Sequence, residues 1–130
     1  MAKITVLLLM VLSSQFGHSV EVQGHRGSRG TFPENTLPAF ANAISNGVDA
    51  LELDILASKE GELVIYHDYF VNPQLSIYLD GKQVPDNLLL CQLPLAEIKK
   101  IDCGRKSNPN FPQQHPIPGT KIPTLKELFL

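Results

Sequence analysis

The sequence predicts an α/β fold, and three observations predict it. Residues Val48 to Ala57 (VDALELDILA) alternate apolar and acidic side chains with the period of two that marks a strand. Just before them, Leu37, Phe40, Ala41 and Ile44 recur at helical spacing. Four polar clusters, His25-Arg26-Gly27, Glu34-Asn35-Thr36, Glu52-Leu53-Asp54 and His67-Asp68, fall at or near the ends of predicted strands. Side chains placed at strand ends can converge on one pocket.

The elements follow in order. Val20 to Gly24 is a short β-type segment that delivers His25 at its end. Gly24, Gly27 and Gly30 mark a turn with close backbone approaches. Pro33 precedes a helix whose N-cap is Asn35 or Thr36, with Pro38 tolerated in the first turn. Its predicted buried face is Leu37, Phe40, Ala41 and Ile44, and Asn46-Gly47 ends it. Within the strand Val48 to Ala57, Leu51, Leu53 and Ile55 take one face, and Glu52 and Asp54 the other. Lys59-Glu60-Gly61 turns into a third strand, Glu62 to Tyr66, which ends at His67-Asp68.

Regularity fades from Tyr69 to Gln92, where Asp80-Gly81-Lys82 reads as a hairpin tip. Leu93 to Ile101 is predicted as a short amphipathic helix with Pro94 at its start, and Lys106 to Gly119, with four prolines, as a loop. Pro123-Thr124 caps a last helix, Leu125 to Leu130.

Residues 1–19 read as an export signal. Lys3 supplies a positive start, Ile4 to Leu12 is apolar except for Thr5, and Gly17-His18-Ser19 places small residues before a cut after Ser19. The apolar run is well short of the ~20 residues of a spanning helix. The expected mature chain is 20–130, exported to a periplasmic or extracellular compartment. A net charge of −2, with no run of Lys or Arg longer than two, gives no reason to expect nucleic acid or an acidic membrane surface as a partner. Cys91 and Cys103 are the only cysteines, open to a disulfide or to two free thiols.

Glu52 and Asp54, at i and i+2 on a strand, share one face. Unpaired burial would cost several kcal/mol each, so a divalent cation is a natural partner, and oxygen-only ligands favour Ca²⁺ or Mg²⁺. Two solvated acids on an exposed face are the other reading. His25 and His67 end different strands, and a phosphodiester reaction needs one group to activate the attacking oxygen and one to protonate the leaving alcohol. Each could instead be a hydrogen-bonded structural residue. Arg26 has a fork suited to phosphate oxygens, or to a plain salt bridge.

The ordered set HRG, PENT, ELD and HD, closed by IPTLKEL at Ile122 to Leu128, resembles the glycerophosphodiester phosphodiesterase family over Gly24 to Leu130. The resemblance implies the N-terminal part of a (β/α)8 TIM-type barrel, with its site at the C-terminal ends of the strands. It implies a Ca²⁺ or Mg²⁺ ion on Glu52 and Asp54, His25 and His67 as the acid–base pair, and Arg26 on phosphate. Glu34 and Asn35 would line the site, and residues 69–119 would be an inserted segment over the pocket mouth. The substrate implied is a small glycerophosphodiester, cleaved to an alcohol and glycerol 3-phosphate. A barrel of this kind needs eight strands and about 250 residues, whereas three strands are predicted before Pro123. The family's further metal-binding Glu and phosphate-contacting Lys have no counterpart in this sequence. The chain is thus expected to be the N-terminal half of such an enzyme, with a complementing C-terminal half or self-association as its partner. A non-catalytic exported fragment, and a barrel phospholipase acting on sphingomyelin or inositol lipids, are the alternatives.

Overall fold

The computed structural model describes residues 20–130. The export signal expected at 1–19 lies outside them. In chain order the elements are β1 (Gln23–Gly24), α1 (Leu37–Ser45), β2 (Ala50–Leu51), β3 (Ile55–Ala57), β4 (Leu63–Ile65), β5 (Ile77–Tyr78), a 3₁₀ turn (Leu90–Gln92), α2 (Leu95–Ile98), β6 (Ile101–Asp102) and α3 (Leu125–Leu128). No helix among the described residues is long and apolar enough to cross a membrane.

β1 and β2 pair in parallel, with Gly24 opposite Leu51, and α1 forms the crossover between them, a βαβ connection. The predicted strand Val48–Ala57 is interrupted at Glu52-Leu53-Asp54, which belongs to neither β2 nor β3. The reason is a change of partner. Glu52 N–H still donates to Gly24 O at 3.0 Å, while Asp54 O accepts from Tyr66 N–H at 3.0 Å, so the chain passes from a parallel to an antiparallel neighbour. β3 then pairs with β4, Ile55 opposite Ile65. On the far side of β4, Ile65 N–H donates to Pro123 O at 2.8 Å.

Thr36, not Asn35, caps α1: its extended backbone and hydroxyl meet the Ala39 N–H, and Asn46 closes the helix as expected. The buried face is Ala39, Phe40 and Ala43, whereas Leu37 and Ile44 are 40% and 61% exposed. Small residues face inward because α1 lies directly on the Gly24–Gly27 backbone. A Cβ on Gly24 would stand 3.1 Å from the Ala43 methyl, and one on Gly27 only 2.7 Å from the Ala39 carbonyl carbon. Larger side chains at 39 and 43 would lift the helix off the turn.

Three core residues, Val71, Val84 and Leu90, come from the stretch that reads as irregular. Val71, Val84, Leu90, Ile98 and Ile101 pack with Val64 and Ile122 in one cluster. Each such side chain contributes roughly 1.5–3 kcal/mol when fully buried. The predicted helix Leu93–Ile101 is only the single turn α2, because Ile101 instead enters β6, which pairs with β5. Asp80-Gly81-Lys82 does form a tip, with Gly81 at φ 87° and Tyr78 N–H bonded to Lys82 O. Thr124 and Glu127 cap α3 reciprocally, and the helix ends at Leu128 instead of Leu130. Cys91 and Cys103 are both free, the first exposed and the second half-buried.

Asp102 fastens the loop that follows β6. It has no exposed surface, and its carboxylate accepts from Gly104 N–H, Arg105 N–H, Arg105 Nε and Gly119 N–H at 2.7–3.1 Å. Burial alone would raise its pKa, but the Gly119 N–H and the Arg105 guanidinium lead the donors that pull it below the ordinary value. A lowered folded pKa means the stabilisation is present above roughly pH 4, the unfolded value, and is lost as pH falls through the folded one. Denaturation from pH 7 to pH 3 is expected to show this acid loss. Asp102→Asn should cost about 2 kcal/mol at pH 7 and flatten the acid limb; an unchanged limb would remove Asp102 as its source.

Candidate active site

The site is built on two residues held in the left-handed region, Arg26 at φ 52° and Asn35 at φ 55°. Neither is glycine, so each conformation carries a cost of ~1–2 kcal/mol. Two bonds fix them: Gly27 N–H to Gly24 O at 3.1 Å, and Asn35 N–H to Arg26 O at 3.0 Å. The HRG turn and the PENT turn are therefore stitched together before any side chain is considered.

The side chains then converge. Arg26 N–H donates to Glu52 Oε2 at 2.8 Å, and its Nη1 donates to Glu34 Oε1 at 2.7 Å. Arg26 Nε lies 3.3 Å from Asp54 Oδ2, which also accepts from Asn35 Nδ2 at 2.8 Å. Arg29 Nε lies 2.9 Å from Glu34 Oε2. The Arg26 and Arg29 Nε contacts are close but poorly aligned, so both atoms lack a true hydrogen bond and act through charge alone. Arg26, Glu34, Asn35, Glu52 and Asp54 thus form one network, with the Arg26 side chain only 12% exposed. Two guanidinium groups face three carboxylates, an excess of one negative charge.

The histidines sit at the edge of this network. His25 Nε2 is 3.7 Å from Glu52 Oε2. His67 Nδ1 is 2.6 Å from Asp68 Oδ1; with the proton on Nδ1, as that partner requires, Nε2 offers its lone pair. His67 lines a cleft with Arg26, Arg29, Glu34, Asn72 and Asn108. His25 opens on a separate depression beside Gly24 and Gly27. The structure therefore joins five of the seven predicted residues by direct contact, His25 through Glu52, and His67 by a shared cleft.

Glu52 and Asp54 suit a hard divalent cation by donor chemistry. Each has one oxygen engaged, Oε2 and Oδ2, and the surplus negative charge lies between them and Arg26. Among the described residues no three His, Cys, Asp or Glu side chains gather into a complete metal site. The fit is that of two carboxylates, with the remaining positions left to water or substrate oxygens, as Mg²⁺ sites commonly have.

Several groups at the cleft carry no local signal in the sequence. Gln114 Nε2 donates to both Arg29 O and Phe32 O, at 2.8 and 3.0 Å, pinning the proline-rich loop to the HRG–PENT turns. Arg29 stacks over Phe111, 4.8 Å from the ring centre. Lys106 lines the inner cleft with its ammonium on Pro73 O and Gln83 Oε1. The adjacency of Asp68 to His67 was the one hint available, since such a carboxylate orients an imidazole.

Residues 25–130 match the model of the glycerophosphoryl diester phosphodiesterase family. The chain belongs to this family. It is 36% identical over 108 residues to a glycerophosphodiester phosphodiesterase of Caldanaerobacter subterraneus subsp. tengcongensis, covering 83% of this chain and 38% of the relative. A Bacillus subtilis glycerophosphodiester phosphodiesterase is 34% identical over 108 residues, covering 81% and 33%. A solved Silicibacter pomeroyi structure assigned to the glycerophosphoryl diester phosphodiesterases superposes with TM-score 0.80 at 33% identity, covering 84% of this chain and 39% of the other. An Oleispira antarctica phosphodiesterase, solved with the product sn-glycerol-3-phosphate, gives TM-score 0.63 at 34% identity over 84% and 38%. The chain spans well under half the length of the family members it matches, and its fold is part of a TIM-type barrel.

Proposed function

We propose that this chain supplies the carboxylate and proton-transfer part of a site that hydrolyses glycerophosphodiesters to an alcohol and glycerol 3-phosphate. The observation that carries the reading is the Arg26–Glu34–Asn35–Glu52–Asp54 network, with a histidine at either edge. Family membership and the product bound to the Oleispira antarctica relative support it. A divalent cation, Ca²⁺ or Mg²⁺, would be held by Glu52 and Asp54 and would offset charge growing on the phosphoryl oxygens.

His67, bare at Nε2, takes the proton of the substrate's free glycerol hydroxyl as that oxygen attacks phosphorus. His25, beside Glu52, protonates the leaving alcohol, and a cyclic phosphate remains. The two histidines then exchange roles, and water opens the cycle to glycerol 3-phosphate. Arg26, bound in this structure to Glu34 and Asp54, meets phosphate once Asp54 is engaged elsewhere. Residues 69–119 close over the cleft mouth as an inserted segment. Further ligands come from added polypeptide, a C-terminal half or a second copy, and the leader at 1–19 makes the activity an exported one.

A binding-only role is the second reading, favoured by the incomplete ligand set among the described residues. The test is product analysis with the full chain, Ca²⁺ or Mg²⁺, and glycerophosphoglycerol or sphingomyelin. Glycerol 3-phosphate release from glycerophosphoglycerol, with no cleavage of sphingomyelin, is expected, the release falling roughly 10²- to 10⁴-fold in His67→Ala. Release that survives His67→Ala would contradict the proton-transfer assignment. No release with either cation would leave the binding-only role.

A further inference from the structure

Arg29 is a charged group at the site that no step of the reaction above uses. Its guanidinium is fixed on two sides: one face lies over the Phe111 ring at 4.8 Å, and Nε lies 2.9 Å from Glu34 Oε2. The backbone beneath it is held as well, since Gln114 Nε2 donates to Arg29 O at 2.8 Å. A guanidinium stacked and paired in this way has little freedom left to lose when a ligand arrives.

Two features point to such a ligand. The first is free charge. Nε is buried, so the 26% of the side chain that is exposed lies elsewhere, and neither terminal nitrogen has a hydrogen-bond partner among the described residues. Of the three carboxylates in the network Arg29 meets Glu34 alone, whereas Arg26 meets Glu34, Asp54 and, through its backbone N–H, Glu52. Arg29 is therefore the less neutralised of the two cations. The second feature is position. Arg29 lines the cleft that holds His67 and also the depression that holds His25, and no other described residue lines both. In a displacement at phosphorus the attacking and leaving oxygens lie roughly in line, and charge spreads over the equatorial oxygens between them. A cation between the two histidines stands where those oxygens gather.

We propose that Arg29 is a second phosphate-contacting residue, whose terminal nitrogens bind the phosphoryl oxygens between His25 and His67. The place of those oxygens rests on the hydrolase reading above, whereas binding of a phosphorylated glycerol needs no turnover.

The test is calorimetric titration of the full chain with glycerol 3-phosphate, and with glycerol as the uncharged control. Arg29→Met keeps the length and the packing on Phe111 but removes the charge and the fork. It is expected to bind glycerol 3-phosphate at least tenfold more weakly than the wild type, with circular dichroism unchanged. If Arg29→Met does not fold, Arg29→Lys carries the test: it keeps a partner for Glu34 but has no fork, and a several-fold loss is expected. Glu34→Gln takes a competing carboxylate away from both guanidinium groups and should leave binding equal or tighter. Equal losses in Glu34→Gln and Arg29→Met would make Arg29 a brace for Glu34 and overturn the contact. So would wild-type affinity in a folded Arg29 variant, glycerol binding as tight as that of glycerol 3-phosphate, or no binding by the wild type. In a diester assay, glycerol 3-phosphate release with kcat and KM unchanged in Arg29→Met sinks the contact and leaves the hydrolase reading standing. Arg29-dependent binding of glycerol 3-phosphate without hydrolysis of any diester does the reverse.

Discussion

Gly27→Ala is expected to cost about 3 kcal/mol, enough to unfold a marginal domain. Two penalties add. Gly27 sits at φ 80°, where an alanine carries ~1–2 kcal/mol of backbone strain. Its Cβ would also stand 2.7 Å from the Ala39 carbonyl carbon and 2.9 Å from Phe40 N, both backbone atoms of α1 that cannot rotate aside. Overpacking against a helix adds roughly 1–3 kcal/mol. The effect reaches the site because Ser28 N–H is bonded to Ala39 O, so lifting α1 pulls on the turn that holds Arg26. Urea denaturation followed by circular dichroism reads the loss. A midpoint equal to that of the wild type would mean that α1 does not rest on the turn.

Arg26→Ala is the second large effect. Among the described residues its guanidinium alone touches both Glu34 and Asp54. Removing it leaves three carboxylates facing Arg29 alone, and the excess negative charge rises by one. Breaking a fully buried pair costs ~3–5 kcal/mol; with these acids 18% and 26% exposed, about 2 kcal/mol is the expected loss. The charge argument carries a sharper consequence. Added Ca²⁺ should raise the melting temperature of the variant more than that of the wild type, because cation binding to the folded state stabilises it by mass action. An equal rise in both proteins would mean that the cation binds away from this network.

The parts of the fold that were legible in the sequence are those with local causes. Thr36 and Thr124 announce helix starts through their own hydroxyls, and Asp80-Gly81-Lys82 announces a turn through the one residue free to take φ 87°. The polar clusters were legible as clusters, and five of the seven predicted site residues do meet directly. Contacts between distant segments were not legible. Nothing near Gln114 indicates that it bonds to Arg29 O, 85 residues earlier. Nor does the Tyr69–Gln92 stretch, which lacks either regular period, show that Val71, Val84 and Leu90 are core. The buried face of α1 differs from the expected one for a related reason: helical spacing selects Leu37 and Ile44, but a backbone pressed against glycine turns selects Ala39 and Ala43. Arg26 carries the same lesson for the site. Its fork suits phosphate, yet in this structure it is occupied by two carboxylates that the sequence places eight and 28 residues away.

The most direct test of the central claim, that Glu52 and Asp54 hold the cation, is calorimetric titration of Ca²⁺ and Mg²⁺ into the full chain and into Asp54→Asn. Asp54→Asn keeps a side chain able to meet Asn35 and should still fold, so circular dichroism on the same samples controls for structure. Saturable binding of at least one of the two ions to the wild type, lost or weakened by at least tenfold in the variant, is the predicted result. Binding that is the same in both proteins would contradict the account, and the carboxylate pair would then be a structural partner of Arg26 and no more.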